Sequence, residues 1–283
     1  MTIIILGGSG FIGKSLIKRI KKENFSYKLL IHKNMIECDS CFYGNITNKK
    51  TLEKNIADGD IIINLIGQEN KNMFDENIKG SYNILNSVIK KKNIKIIFIS
   101  SILVYGQSIK NKSSEKDVPM PTSDYGVIKL LTENIYQTYN KLFNVDITIL
   151  RFSNIYGVKK ESGIIVKCLQ AIKNQKPITI NQNGEQTMDF LHVDDAVEAI
   201  MLVIKKQISG FEIFNISSSE GTQIKNIVKL VEKYSKKNVP KKIVNNKSST
   251  EHIVGNNLKA KKILDFVVKK DIKQGIKKMV SEF

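Results

Sequence analysis

Short continuous apolar runs alternate with longer amphipathic segments along the first half of the chain. The runs are rich in isoleucine and show no strict polar alternation, which is typical of parallel strands covered on both faces. They predict strands at 2–6, 28–32, 60–65, 95–100 and 146–151. The segments between them carry apolar residues three and four positions apart and predict helices at 11–22, 48–56, 74–92 and 124–143.

This order of elements predicts an α/β fold with a doubly wound parallel sheet, because β-α-β units cross over with one hand. We expect the first domain at residues 1–157. A strand at 189–192, the helix after it and a strand at 212–216 are expected to return to that domain, so that 189–216 completes it. The rest of 158–283, mainly 158–188 and 217–283, predicts a smaller, discontinuous α/β substrate lobe.

The composition is that of a globular protein, with 41% hydrophobic and 25% charged residues among 283. No apolar stretch reaches the roughly 20 residues that cross a bilayer, so no membrane association is expected. The net charge of +18 suits an anionic partner, but the lysines are spread along the whole chain. That spread favours a solvated basic surface over a nucleic-acid site. Three cysteines, an odd number, do not indicate a disulfide framework and favour a cytoplasmic protein.

A glycine-rich segment at 7–13 lies between the first predicted strand and the first predicted helix. Glycine there permits a tight turn, close approach of the backbone to a pyrophosphate, and close packing of the helix on the strand. The free N–H groups at the start of the helix favour an anion. The segment predicts that residues 1–157 form a Rossmann dinucleotide-binding domain. The cofactor contacts are expected from Gly7, Ser9, Gly10, Phe11, Ile12 and Gly13.

The end of the second predicted strand bears on the choice of dinucleotide. A carboxylate at this point accepts from the ribose 2′-OH of NAD, whereas a cation accommodates the 2′-phosphate of NADP. Here the strand ends in His32 and Lys33, without a carboxylate. The cofactor is therefore expected to be NAD(P), with NADP favoured over NAD; a plain surface lysine at this position is the alternative.

Three polar residues form a candidate catalytic set. Tyr125 and Lys129 are four apart on a predicted helix and therefore lie on one face, one turn apart. A neighbouring ammonium lowers the pKa of a phenol, so the tyrosine can move a proton closer to neutral pH. Ser101 follows a predicted strand and lies at the carboxyl edge of the sheet, where ligands bind in open α/β folds.

Further segments follow in a specific order. They are Gly-Asn-Ile at 44–46, Ile-Asn-Leu-Ile-Gly at 63–67, Asn-Ile-Lys-Gly-Ser at 77–81, Arg-Phe-Ser-Asn-Ile-Tyr-Gly at 151–157 and Asn-Gly-Glu-Gln-Thr-Met-Asp-Phe-Leu-His-Val-Asp-Asp at 183–195. With the glycine loop and the Ser101, Tyr125 and Lys129 set, they make the chain resemble an extended short-chain dehydrogenase/reductase of the NAD-dependent epimerase/dehydratase type. The resemblance covers essentially the whole chain, and that family acts on nucleotide sugars.

The resemblance implies roles for these residues. Tyr125 would be the acid/base at a sugar hydroxyl or ketone, Lys129 its partner, and Ser101 the hydroxyl that polarises the same oxygen. Asn154 would hold the substrate near its phosphates. Additional cofactor contacts are implied for Asn45, Ile46, Leu65, Ile66, Gly67, Asn77, Ser100, Tyr125 and Lys129.

Departures from the family pattern narrow the activity. Ile102 and Leu103 stand where sugar 4,6-dehydratases carry an Asp-Glu pair, and elimination of water needs that acid and base. Met188 replaces an arginine that commonly holds the nucleotide diphosphate, and methionine offers no bidentate donors. Lysines at 241, 242 or 247 are candidates to replace it. Asn45 replaces an aspartate, and its side-chain carbonyl can still accept from an adenine amino group.

We expect a nucleotide-sugar 4-epimerase or 4-keto reductase that serves polysaccharide precursors, with reductase slightly favoured. One alternative is a reductase of a non-nucleotide alcohol or ketone, which would suit Met188. A second alternative is a non-catalytic cofactor-sensing or nucleic-acid-associated protein, which would not need Ser101, Tyr125 and Lys129 together. The helices predicted at 74–92 and 124–143 resemble those that form the family's dimer interface, so a homodimer is expected.

Overall fold

The computed structural model describes residues 1–32, 40–67, 72–108, 112–244 and 252–283. Its strands are β1 (Ile3–Leu6), β2 (Tyr27–Ile31), β3 (Cys41–Tyr43), β4 (Ile61–Asn64), β5 (Lys95–Ser101), β6 (Asp146–Phe152), β7 (Asn154–Tyr156), β8 (Ile178–Asn181), β9 (Thr187–His192), β10 (Phe211–Ile216), β11 (Gly221–Gln223), β12 (Lys241–Val244) and β13 (His252–Ile253). Its α-helices are α1 (Phe11–Lys22), α2 (Lys49–Asn55), α3 (Gly80–Val88), α4 (Asp124–Phe143), α5 (Ile164–Asn174), α6 (Val193–Lys206), α7 (Ile224–Ser235), α8 (Leu258–Leu264) and α9 (Ile272–Ser281). A π-helical turn, Asp75–Lys79, leads directly into α3.

Seven of the described strands form one parallel sheet in the order β10-β6-β5-β4-β1-β2-β3. Every residue of β1 and of β4 is buried, because apolar clusters cover both faces of the sheet. One cluster includes apolar residues of α1 and α6, and the other includes residues of α2, α3 and α4. The doubly wound parallel sheet and all five strands predicted before residue 152 are confirmed.

The later part of the chain forms smaller sheets. β9 pairs with β7, β11 and β13, and β8 pairs with β12. A third apolar cluster lies among α5, α7 and α9. The short strands β3, β7, β11 and β13 have two or three residues each and were not predicted, because such lengths leave no periodic signal.

The two strands of 189–216, expected to complete the dinucleotide-binding domain, pair in different sheets. β10 pairs with β6 at the edge of the seven-stranded sheet. β9 pairs in parallel with β7 outside that sheet, although Leu191 at its end packs in the apolar cluster that includes α1 and α6. The edge of the sheet beside β6 is taken by β10. β9 pairs instead with β7, the short strand that follows β6 in the chain. The proposed division into domains remains a prediction.

The carboxyl ends of β1, β4, β5 and β6 meet at one edge of the parallel sheet, since these strands are neighbours with a common direction. The residues that follow these four ends therefore lie close together in space. No helix in the described ranges is long and apolar enough to cross a bilayer.

Candidate active site

The glycine loop after β1 is shaped for close backbone approach. Gly7 has φ +88°, and its carbonyl accepts from the Gly10 amide at 3.1 Å. A Cβ on Gly13 would lie 2.5 Å from the Gly7 carbonyl oxygen, so only glycine allows α1 to pack this closely on the loop. Gly10 caps α1 without a side-chain hydrogen bond, and no acidic residue lies in the first turn. The amides at the start of α1 are therefore open to an anion.

Lys129 on α4 places its ammonium at the carboxyl edge of the sheet. Nζ donates to the Ile99 carbonyl oxygen at 2.9 Å and to that of Ile66 at 3.4 Å. It lies 5.7 Å from the centre of the Tyr125 ring. The side chain is 2% exposed. Burial lowers the pKa of Lys129 to about 7, and the nearby Glu133 carboxylate offsets part of that effect.

Gly67 and Asn77 lie next to this ammonium. Gly67 follows β4 with φ +137°, and a Cβ there would lie 2.3 Å from Lys129 Nζ and 2.6 Å from Asn77 Oδ1. Asn77 is in the π-helical turn, buried, and its Nδ2 donates to the Met73 carbonyl at 2.8 Å. Its Oδ1 is buried and has no hydrogen-bond partner among the described residues. Such an orphaned acceptor is costly unless a ligand satisfies it, so Asn77, Lys129 and the glycine loop fit a bound dinucleotide.

The first turn of α4, which carries Tyr125, packs on the turn that follows Ser101. A Cβ on Gly126 would lie 2.6 Å from the Leu103 carbonyl oxygen, so glycine lets the first turn of α4 pack on the turn after β5. Ser123 caps α4, its Oγ accepting from the Gly126 amide at 3.2 Å. Ser101 Oγ accepts from the Leu103 amide at 3.2 Å, which leaves its hydroxyl hydrogen available to donate. The structure thus brings Ser101, Tyr125 and Lys129 to one edge of the sheet.

Ser100, the residue before Ser101, binds a buried carboxylate with its hydroxyl group. Its Oγ donates to Glu133 Oε1 at 2.5 Å, so its hydroxyl hydrogen is not available to a cofactor. The cofactor contact predicted for Ser100 stays a prediction.

A buried ion pair between Glu133 and Arg151 was not found from the sequence. Arg151 Nη2 donates to Glu133 Oε2 at 2.6 Å, and both side chains are at most 4% exposed. Arg151 Nη1 also donates to the Tyr105 hydroxyl at 2.7 Å, which in turn donates to Asn215. Burial disfavours the charged guanidinium, but the hydrogen bonds and charge interactions with Glu133 and Tyr105 together outweigh it and raise the pKa of Arg151. The spacing of Tyr125, Lys129 and Glu133, four apart on one helix, was the available signal.

Burial raises the pKa of Tyr105 to about 12, although the charge of Arg151 opposes the rise. Tyr105 is therefore a neutral phenol near pH 7. Its hydroxyl hydrogen is committed to Asn215 Oδ1 at 2.9 Å, so Tyr105 is held in the buried network.

The residues predicted near adenine lie at the ends of β2 and β3. Asn45 Nδ2 is 3.2 Å from His32 Nε2, and Asn45 Oδ1 accepts from the Thr47 amide at 3.0 Å. Ile46 is buried and packs against Gly80. The structure therefore brings His32, Asn45 and Ile46 together, whereas Lys33 lies outside the described residues. Leu65 and Ile66 follow β4, and the Ile66 amide donates to Asn64 Oδ1 at 3.1 Å.

On the predicted substrate side, Asn154 Nδ2 donates to the Asp189 carbonyl at 3.2 Å. Met188 packs in the cluster among α5, α7 and α9. Of the lysines considered as its replacement, Lys241 pairs with Glu232 at 2.7 Å, Lys242 is exposed, and Lys247 lies outside the described residues.

Lys160 lies near the glycine loop, and the sequence did not predict it as a site residue. Its Nζ lies 5.2 Å from the centre of the Phe11 ring, at the start of α1. Burial lowers its pKa, and among the described residues no carboxylate pairs with it to oppose that effect. A half-buried ammonium beside the glycine loop without a counter-charge is suited to a phosphate-bearing ligand. No sequence pattern distinguishes Lys160 from the many other lysines.

The parallel sheet, with a glycine loop after its first strand, is the fold expected from the resemblance to extended short-chain dehydrogenases/reductases. The chain belongs to the NAD-dependent epimerase/dehydratase family, whose model matches residues 3–217. The resemblance stated from the sequence motifs is thereby confirmed.

Two curated relatives carry related activities. The chain is 30% identical over 250 residues to a putative UDP-glucose 4-epimerase from Methanocaldococcus jannaschii, a match that covers 81% of each chain. It is 30% identical over 253 residues to a dTDP-D-glucose 4,6-dehydratase from Dictyostelium discoideum. That match covers 76% of this chain but 58% of the Dictyostelium protein, less than two thirds of its length.

Solved structures share the fold over the full chain. A Bacillus cereus UDP-glucuronic acid 4-epimerase variant, in complex with UDP-4-deoxy-4-fluoro-glucuronic acid and NAD, matches with a TM-score of 0.87 and 25% identity. The match covers 100% of this chain and 98% of that one. A dTDP-glucose 4,6-dehydratase from Bacillus anthracis in complex with NAD matches with a TM-score of 0.88 at 23% identity, over 100% and 96% of the two chains.

Proposed function

We propose that this chain is a nucleotide-sugar 4-epimerase that uses a nicotinamide dinucleotide and Tyr125 as its acid/base. The observation that carries the proposal is the Lys129 ammonium, buried between Gly67 and the Tyr125 ring at the carboxyl edge of the sheet. A cation in that place stabilises a tyrosinate and offers donors to ribose hydroxyls. The orphaned Asn77 Oδ1 beside it supports a bound dinucleotide.

In this proposal each residue has a defined task. Tyr125 takes the proton from the sugar 4-hydroxyl and returns it at the end of the reaction. Ser101 donates its hydroxyl hydrogen to the same oxygen and stabilises the ketone. The amides of the glycine loop and the start of α1 hold the pyrophosphate. The bound dinucleotide supplies the hydride acceptor and donor.

The residues after Ser101 do not support elimination of water, the reaction of a 4,6-dehydratase. Ile102 is 1% exposed and is followed by Leu103, so neither carboxylate of a dehydratase is present at these positions. The archaeal relative and the B. cereus structure are named as 4-epimerases and support epimerisation.

A 4-keto reductase is the second candidate, since it needs the same residues and differs only in releasing the cofactor after hydride transfer. The absence of a carboxylate at positions 32 and 33 supports it, because it favours NADP. The NAD complexes of the similar structures support NAD instead.

Met188, in the place of an arginine, would suit a non-nucleotide ketone as substrate. Lys160 is half-buried near the glycine loop and pairs with no carboxylate of the described residues, so it can supply a cation for phosphate and supports a nucleotide sugar. The set of Ser101, Tyr125 and Lys129 supports an enzyme rather than a cofactor sensor.

We further propose that the enzyme is a cytoplasmic homodimer. α4 and the segment from Phe74 through α3 form an apolar groove of about 440 Å³. Its rim includes Phe74, Tyr82 and Leu131, which are 59%, 52% and 46% exposed. Exposed apolar area of this kind marks an interface, and a second copy of the same helix pair would cover it.

The direct test is an activity assay with purified protein, NAD⁺ and UDP-glucose, in which NMR follows formation of the 4-epimer. Tyr125→Phe removes the proton carrier and keeps the ring, so turnover should fall about 10²- to 10⁴-fold with dinucleotide affinity little changed. Tyr27→Phe, on β2, is the control for loss of a hydroxyl elsewhere. Unaltered turnover in Tyr125→Phe would refute the proposed mechanism.

A further inference from the structure

The Glu133 carboxylate joins α4 to two neighbouring strands. Glu133 Oε1 accepts from Ser100 Oγ at 2.5 Å and from Arg151 Nε at 3.0 Å, and Oε2 accepts from Arg151 Nη2 at 2.6 Å. Ser100 on β5 and Arg151 on β6 are directly paired in the sheet. Glu133 is 3% exposed. One side chain therefore fixes α4 to a pair of adjacent strands near their carboxyl ends.

The strand segment that Glu133 holds also carries the partners of the proposed catalytic residues. The Ile99 carbonyl accepts from Lys129 Nζ at 2.9 Å, and Ser101 is the next residue after Ser100. Glu133, Lys129 and Tyr125 follow one another at four-residue spacing, so they occupy three successive turns on one face of α4. A shift of α4 along β5 would move Tyr125 and Lys129 together relative to Ser101.

Stability alone is a weak reason for this ion pair. Removing two charges from water is costly, and well-packed apolar residues of similar volume commonly serve the fold as well or better. The pair has no exposed part through which solvent could lower that cost, since both side chains are at most 4% exposed. A positional role explains why charges are retained here, because directional hydrogen bonds set the helix height and apolar contacts do not.

We infer that Glu133 is a positioning residue of the proposed reaction. Its hydrogen bonds to Arg151 and Ser100 fix the position of α4 along β5. That position determines where Tyr125 and Lys129 lie relative to Ser101. The inference rests on the proposed function. It assigns no contact of Glu133 with substrate or cofactor.

The test uses the double variant Glu133→Met/Arg151→Met, since a single variant would leave one buried charge unpaired and destabilise the fold. The matched control is Lys95→Met. Lys95 and Asp146 form an ion pair of 3.1 Å at the opposite ends of the same two strands. Thermal unfolding, kcat and KM for the nucleotide sugar are measured for wild type, double variant and control.

We expect the double variant to unfold at or above the wild-type temperature and to keep KM within about threefold. Its kcat should fall about 10- to 100-fold, as a displacement near 1 Å of catalytic groups does. The Lys95→Met control should keep the wild-type kcat. Wild-type kcat in a folded double variant would overturn the inference, and so would a loss of kcat that only accompanies a lower unfolding temperature.

These outcomes are separate from a failure of the proposed function. If wild type turns over and Tyr125→Phe does not, the proposed function stands whatever the double variant does. If wild type shows no dinucleotide-dependent turnover of a nucleotide sugar, the proposed function and the inference fail together.

Discussion

The Lys129 ammonium occupies the space that a side chain at Gly67 would fill. A Cβ on Gly67 would lie 2.3 Å from Lys129 Nζ, and the backbone there has φ +137°, which disfavours other residues. The loop after β4 and helix α4 therefore depend on each other at the point where the dinucleotide is proposed to bind.

Gly67→Ala should displace Lys129 and weaken dinucleotide binding. Overpacking of a buried site costs about 1 to 3 kcal/mol, which corresponds to about 5- to 150-fold in affinity. Calorimetric titration with NAD⁺ measures the effect. The matched control is Gly59→Ala, where φ is also positive (+77°) but a Cβ meets nothing within 4 Å. Equal affinities of Gly67→Ala and Gly59→Ala would show that the close contact at Gly67 is unimportant.

The lowered pKa of Lys129 predicts a pH-dependent stability. The pKa of Lys129 is about 7 in the folded chain and returns to its ordinary value of about 10.5 when the chain unfolds. Between these values the unfolded chain binds more protons, so the Lys129 contribution to the free energy of unfolding rises with pH, by at most about 1.4 kcal/mol per pH unit.

The measurement compares wild type with Lys129→Met by denaturant unfolding at pH 7, 8 and 9. The free energy of unfolding of wild type minus that of the variant should increase over this range. Lys141→Met removes a charge from an exposed position on the same helix and serves as the control. A pH-independent difference between wild type and Lys129→Met would contradict the lowered pKa.

Lys160→Met should weaken the binding of a phosphate-bearing ligand. A charge-assisted hydrogen bond contributes about 1.5 to 3 kcal/mol, and partial exposure reduces it, so about a tenfold loss of affinity is expected. Titrations with NAD⁺ and with UDP decide whether the lysine serves the cofactor or the substrate. Lys159→Met, at an exposed neighbour on the same turn, should change neither affinity. Unchanged binding of both ligands to Lys160→Met would exclude this role.

The cofactor preference is tested by titrating the protein with NADPH and NADH. For the second candidate, the 4-keto reductase, the lack of a carboxylate at positions 32 and 33 predicts that NADPH binds several-fold to tens-fold tighter than NADH. Lys33→Ala should largely remove the difference. Tighter binding of NADH would favour the epimerase over the reductase, because it would remove the observation that supports NADP.

The proposed dimer is tested by light scattering on the purified chain, which should give twice the mass of 32.1 kDa. Leu131→Glu places a charge in the groove of α4 and should yield monomers. Ile243→Glu, at an apolar residue 51% exposed on β12, is the control and should leave the mass unchanged. A wild-type monomer at micromolar concentration would refute the dimer.

The sequence by itself determined the parallel sheet, its first five predicted strands, the glycine loop and the Tyr125–Lys129 pair. These features are local: an apolar run, a glycine spacing and a four-residue helical repeat are each complete within a short stretch of chain.

Only the tertiary structure decided where β9 pairs, which cation lies at the glycine loop and what Glu133 holds. β9 pairs with β7 over about 35 residues of separation, as Asn154 contacts Asp189, and Glu133 is 33 residues from Ser100. A lysine with no counter-charge and a glutamate with two partners look alike in a sequence rich in charged residues. They differ only in burial and in the groups that surround them, and both of these arise when distant segments pack together.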